Sequence, residues 1–191
     1  MASRIGDRRE PDQDLMELIA SAFQKAKLRG AIIGGVARNY WETPRLTFDI
    51  DFTVEANPAG LEMVIAALAD HGFEVLRAQG REQASGPDFV QLYNRDIAQV
   101  VELQAAKTPF QEEVLRRAVA LDDIGLLVAT REDIIVLKIL ALRPKDRDDL
   151  RELASHASID WDYVHYWCDV WQVTDRLENL RRTLAEDATT L

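Results

Sequence analysis

At 191 residues, 47% of them hydrophobic, the chain is long enough for one domain with a sizeable core, and disorder is excluded as its general state. Its 33 acidic residues outnumber the 23 basic ones, for a formal net charge of −10, which argues against nonspecific nucleic-acid binding through neutralised phosphates. No apolar run approaches the roughly 18 residues that span a bilayer, and Met1 to Asp14 is charged, so the chain reads as cytoplasmic with no membrane partner.

Residues 13 to 29 place Leu15, Leu18, Ile19, Ala22 and Phe23 at helical spacing and end at Gly30, a C-cap signal. A short apolar strand, 31–33, runs into Gly34-Gly35 and a helical segment near 35–42. From Arg45 to Phe52 polar and apolar residues alternate strictly, which predicts a half-buried strand at about 46–55 with Leu46, Phe48, Ile50 and Phe52 facing a core. Asn57-Pro58 opens a helix that closes at His71-Gly72, and Phe73 to Arg77 reads as a strand. After a polar loop at 80–87, strands at 88–93 and 97–104 are joined by Asn94-Arg95-Asp96, a hairpin signal. Pro109 starts a helix through Ala118. A short strand near 125–128 precedes Thr130, an N-cap for a helix at 131–142. From Lys145 onward the pattern is helical, in two or three segments.

The expected fold is therefore α+β. A mixed β-sheet with flanking helices covers residues 1–129, and a helical C-terminal lobe covers 130–191, the two forming one compact unit. The single cysteine, Cys168, rules out an internal disulfide and reads as a packing residue. Tyr163, Trp167 and Trp171, four apart, read as core, with base stacking or a homodimer contact as the other readings.

Asp49 and Asp51 share one strand face, where two carboxylates repel each other and Asp is depleted. A cation or a cationic ligand satisfies such a pair; an ordinary solvent-facing strand that carries acids is the plain alternative. Gly34-Gly35, at a strand-to-helix turn, lets backbone N–H groups approach a phosphate at a helix N-terminus; a tight turn without a ligand is the plain alternative. Glu102 lies inside the apolar run Val100-Val101-Glu102-Leu103, where a carboxylate is costly unless paired or metal-bound. Three such oxygen ligands suit a hard divalent ion, Mg2+ first and Mn2+ second. Lys138 sits in a helix that is apolar almost all round, so it either meets a polar partner such as a triphosphate or snorkels to the surface.

Ile33-Gly34-Gly35-Val36-Ala37 followed by Arg45-x-Thr47-x-Asp49-Ile-Asp51 resembles the signature of the polymerase-beta-like nucleotidyltransferase superfamily. Glu132-Asp133 to Lys138, followed by Lys145-Asp146-Arg-Asp-Asp149-Leu, is similar to the second block of its AbiEii-type toxin branch. The resemblance implies an enzyme that transfers NMP from an NTP to an acceptor: a tRNA, a protein or a small molecule. It also implies a growth-inhibiting toxin with a cognate antitoxin. The metal ligands carried over are Asp49, Asp51 and Glu102, the last where Asp is commoner. Lys138 and Asp146 are carried over as functional residues, with Asp149 beside them, although Asp146 also suits a helix first turn. Gly34 and Gly35 form the nucleotide cradle, departing from the commoner Gly-Ser. Arg38 either meets phosphate or lies on the surface, and Arg45 and Thr47 either contact the nucleotide or brace the aspartates. The rival reading is a catalytically silent nucleotide- or partner-binding module of the same fold.

Overall fold

A computed structural model of the chain describes residues 13–80, 82–121, 125–156 and 158–189. It divides into two compact units, Met1–Val128 and Ala129–Leu191. Among the described residues no helix is long and apolar enough to cross a membrane.

In the first unit, α1 (Gln13–Ala26) leads into β1 (Gly30–Ile33), α2 (Gly34–Trp41), β2 (Asp49–Glu55), α3 (Pro58–Ala69) and β3 (Phe73–Gln79). Then come β4 (Phe89–Asn94), β5 (Gln99–Ala106), α4 (Pro109–Arg117), β6 (Val119–Ala120) and β7 (Leu127–Val128). The strands form one sheet in the order β3-β4-β5-β2-β1-β7-β6. β2 runs parallel to β5 and β1 parallel to β7, while the other neighbours are antiparallel. This is the mixed sheet that the strand pattern predicts. β6, two exposed residues long, is an element the pattern does not signal.

Strand alternation divides the sheet's chemistry between its faces. Ile50, Phe52, Val54, Val101, Leu103, Val90 and Leu92 are all buried on one face. Phe23 of α1 packs there, its ring 5.1 Å from that of Phe52. The opposite face carries Asp49, Asp51, Glu102 and Gln91, all half-buried. Toward the end of β2 that second face is closed, because Leu115 of α4 packs with Ala31 and Ala106. The polar part of the sheet is thus the stretch that α4 leaves uncovered.

The alternation from Arg45 to Phe52 extends past the real strand. The ladder begins at Asp49, and Leu46 and Phe48 are exposed at 49% and 64% rather than facing the core. Side chains hold that segment instead of a ladder. The Asn39 amide donates to the Arg45 carbonyl at 2.6 Å, and its oxygen accepts from the Arg45 N–H at 3.1 Å. Gln99 Nε2 donates to the Phe48 carbonyl at 2.6 Å.

The second unit is helical: α5 (Arg131–Ala141), α6 (Pro144–Ala154), α7 (Trp161–Val170) and α8 (Thr174–Thr189). Thr130 and Asp133 form a reciprocal capping box at the start of α5. Ile134, Ile135, Val136 and Ile139 are fully buried with Leu153, Val164 and Cys168. Leu142 ends α5 in the left-handed region at φ 42, and Pro144 opens α6. Of the aromatic series, Trp167 is in the core, Tyr163 is half-buried, and Trp171 is 40% exposed. Trp171 caps α7 at φ −89, ψ 2, where the backbone leaves the helix and four-residue spacing no longer keeps one face.

Candidate active site

Asp51 is the register partner of Glu102 across the parallel β2–β5 pair, and of Ile33 across the antiparallel β1–β2 pair. Register partners share a sheet face, as do residues two apart on a strand. Asp49, Asp51 and Glu102 therefore stand on the same face, with Ile50, Phe52, Val101 and Leu103 buried behind them.

Glu102 has a partner that sequence reading missed. Gln91, opposite it on β4, donates from Nε2 to Glu102 Oε1 at 2.5 Å. The hairpin signal at 94–96 does not give this register: a three-residue turn would pair Tyr93 with Ile97, whereas the ladder pairs Asn94 with Gln99 and so sets Gln91 against Glu102.

β1 ends at Ile33, and α2 begins at Gly34 with φ +66 and no side-chain cap. The first-turn N–H groups of a helix have no intrahelical acceptor and favour an anion there. A Cβ on Gly34 would collide with the Asp51 carboxylate, and one on Gly35 would lie 2.6 Å from Thr47 Oγ1. The glycine turn thus sits directly against one acid of the pair and against the Thr47 hydroxyl. Arg38 is buried, at 2% exposure, and donates from Nη1 to the Thr43 carbonyl and to Asn39 Oδ1 at 3.4 Å, bracing the segment that leads to Thr47. It is therefore no surface residue. Arg45 is half-buried and donates from Nη1 to the Leu46 carbonyl at 3.3 Å.

Among the described residues no group of three or more His, Cys, Asp and Glu side chains is gathered so as to hold a metal ion. In donor chemistry the acid face nevertheless fits a hard divalent cation, since Asp49, Asp51 and Glu102 offer only carboxylate oxygens. Glu102 Oε1 also accepts from Gln91, which leaves Oε2 as its second donor oxygen.

The second unit has its own charged cluster. Lys138 is 4% exposed, and its ammonium meets Asp149 Oδ2 at 2.6 Å and Asp146 Oδ1 at 3.3 Å. Asp146 also accepts from the Arg143 backbone N–H and from Nε, both at 2.9 Å. Burial pushes the Asp146 carboxyl up, but the hydrogen bonds from Arg143 and the charges of Lys138 and Arg143 outweigh it and hold the group below its ordinary value. The polar partners that a buried lysine requires are thus two aspartates of the next helix. Beside them, Tyr163 donates its hydroxyl to Asp133 Oδ1 at 2.5 Å.

Residues 12–185 match a family model described as "Nucleotidyltransferase of unknown function (DUF6036)", and the chain belongs to that family. It is a nucleotidyltransferase. In fold it is similar to the antibiotic-resistance factor ANT(2'')-Ia in solution, with TM-score 0.59 and 15% identity over 91% of this chain and 96% of that one. A crystal structure of ANT(2'')-Ia in complex with adenylyl-2''-tobramycin gives TM-score 0.60 and 15% identity over 83% and 95%. An antigenic nucleotidyltransferase-like protein from Paracoccidioides brasiliensis gives 0.57 and 15% over 92% and 89%. No curated protein matches the sequence.

Proposed function

We propose that this nucleotidyltransferase carries out NMP transfer from an NTP to an acceptor hydroxyl on the sheet face that bears Asp49, Asp51 and Glu102. The observation that carries the reading is the contact of Gly34, which opens an uncapped helix, with the Asp51 carboxylate. Phosphate and carboxylate repel each other in water. A chain that builds a phosphate cradle against an acid pair does so for a cation that both share.

Asp49 and Asp51 are the principal ligands of that ion, Mg2+ or Mn2+, with Glu102 as the third. When bound, the ion neutralises charge on the attacking and leaving oxygens of an in-line displacement. The backbone N–H groups at Gly34 and Gly35 orient the triphosphate. Thr47 supplies a hydroxyl beside Gly35, in the place where a side chain at that position would begin. Glu102, with Oε1 held by Gln91, offers Oε2 to take the proton of the acceptor hydroxyl as the new O–P bond forms. The α–β phosphoanhydride bond breaks, and pyrophosphate leaves. Arg45 braces the approach to the acid pair. Lys138, Asp146 and Asp149 act as the internal ion cluster of the helical unit.

The net charge of −10 favours a protein or small-molecule acceptor over tRNA. The likeness in fold to an enzyme crystallised with adenylyl-2''-tobramycin supports including small molecules. The AbiEii-like second block adds a growth-inhibiting role held in check by an antitoxin. The deciding experiment incubates purified protein with each radiolabelled NTP, a divalent cation and cell lysate, then separates RNA, protein and small molecules. Label in the protein or small-molecule fraction, lost in Asp51→Ala, is expected. Equal labelling by Asp51→Ala, or label confined to RNA, would overturn the assignment of the site or of the acceptor respectively.

A further inference from the structure

The basic residues of the C-terminal third, Arg143 to Arg151 and Arg176 to Arg182, alternate with acids, and along the sequence each stretch reads as a solvated helix face. The fold sorts the charges. Between α6 and α8 lies a cavity of about 300 Å³ whose wall includes Arg147, Arg151 and Arg176, and no carboxylate residue among those described. In a chain with 33 acids to 23 bases, such segregation is a built feature rather than an average surface. The remaining wall is largely leucine, from Leu142, Leu150 and Leu180.

The three arginines differ in how they are held. Arg176 is half-buried, and its Nη1 donates to the carbonyls of Ile139 at 3.1 Å and Leu140 at 2.9 Å, two orphan acceptors at the end of α5. Its guanidinium is thereby anchored, while Nε and Nη2 make no hydrogen bond to the described residues. Arg147 is exposed and forms no ion pair with a described residue. Arg151 meets Asp148 at 3.5 Å in an exposed pair of little net strength.

Guanidinium forks match the oxygens of phosphate. Arg147 and Arg176 bring positive charge to a wall that contributes no carboxylate, and the weak exposed Arg151–Asp148 pair leaves room for a stronger acceptor. The volume stands at the lower end of small-molecule sites, so the ligand is compact, and the acidic balance of the whole chain opposes a long polyanion. We propose that this cavity binds a phosphorylated small molecule with an apolar body, its phosphate on Arg147, Arg151 and Arg176 and its body on the leucines.

The test titrates the full chain with phenyl phosphate by calorimetry, with EDTA present so that no divalent cation takes part. Benzoate, inorganic phosphate and a single-stranded RNA oligonucleotide serve as comparison ligands. Phenyl phosphate is expected to bind at least tenfold tighter than benzoate or inorganic phosphate. Arg147→Gln, an exposed position with no folding role, is expected to weaken it at least fivefold with an unchanged melting temperature. Leu180→Gln should weaken phenyl phosphate and leave inorganic phosphate unaffected. Unchanged phenyl phosphate binding in Arg147→Gln would overturn the proposal. So would equal binding of benzoate, or tighter binding of the RNA. No NTP or transfer enters this measurement, so its failure is separate from failure of the transferase site.

Discussion

Gly34 and Asp51 are in such close contact that the glycine has no room for a side chain: a Cβ there would meet the Asp51 carboxylate. Position 34 also has φ +66, a conformation that costs an L-residue roughly 1–2 kcal/mol. Both effects act on Gly34→Ala, which is expected to lose about 1–3 kcal/mol of stability and most of its transfer rate. Urea denaturation alongside NTP incorporation measures the two. Wild-type stability in the variant would refute the contact.

Thr47 and Gly35 make a paired case. Thr47→Val keeps the shape of the side chain and removes the hydroxyl, and should raise KM for the NTP about tenfold, the worth of one neutral-to-charged hydrogen bond. Gly35→Ser combined with Thr47→Ala places a hydroxyl in the same space from the other side and should recover part of that loss. A KM unaffected by Thr47→Val would show that Thr47 only braces the aspartates.

Asp49→Ala and Asp51→Ala remove half-buried carboxylates from the exposed face, so the fold should survive with changes near 0.5 kcal/mol. Transfer should fall by at least about 100-fold, since losing a ligand should cost no less than the roughly 10–100-fold that losing its outer-shell support costs. The rise in melting temperature that NTP and Mg2+ together produce in the wild type should also disappear, because a ligand selective for the native state stabilises it. A thermal scan with and without NTP and Mg2+ reads this independently of the acceptor.

The Lys138 cluster makes a stability prediction with a definite pH sign. Lys138→Met removes the buried ammonium that Asp149 and Asp146 share, leaving Asp146 with Arg143 alone as its cation, and should cost about 3–5 kcal/mol. Asp146 titrates below its ordinary value in the folded chain, so it contributes stability above the unfolded carboxylate range, about pH 4, and that stability is lost as pH falls through the depressed folded value. Asp146→Asn should flatten the acid limb of the denaturation profile. An acid limb identical to the wild type would remove Asp146 from this role.

Cys168 is fully buried, and burial pushes its thiol up to about 11. At neutral pH the thiolate that reacts is scarce and shielded. Maleimide should therefore label the native protein at least tenfold more slowly than the urea-unfolded chain, a difference readable by mass spectrometry.

How much of this was legible before the fold was known follows from the range of each interaction. The glycine turn, the acid pair and most elements were legible, because alternation, helical spacing and capping residues act within a few positions. Lys138 announced its need for partners by sitting in an apolar helix. That Asp149 and Asp146 supply them depends on how α6 folds back on α5. The start of β2 was misread for the same reason, since Leu46 and Phe48 alternate correctly while Asn39 and Gln99 hold their backbone away from a ladder. Gln91 against Glu102, Arg38 beneath the Thr43 segment, and three arginines around one leucine-lined cavity all depend on register or helix packing. The sequence by itself determined which residue types this protein had to satisfy. Only the tertiary structure decided which partners satisfy them, because hydrogen bonds and charge pairs are set by distances between elements that local patterning does not encode.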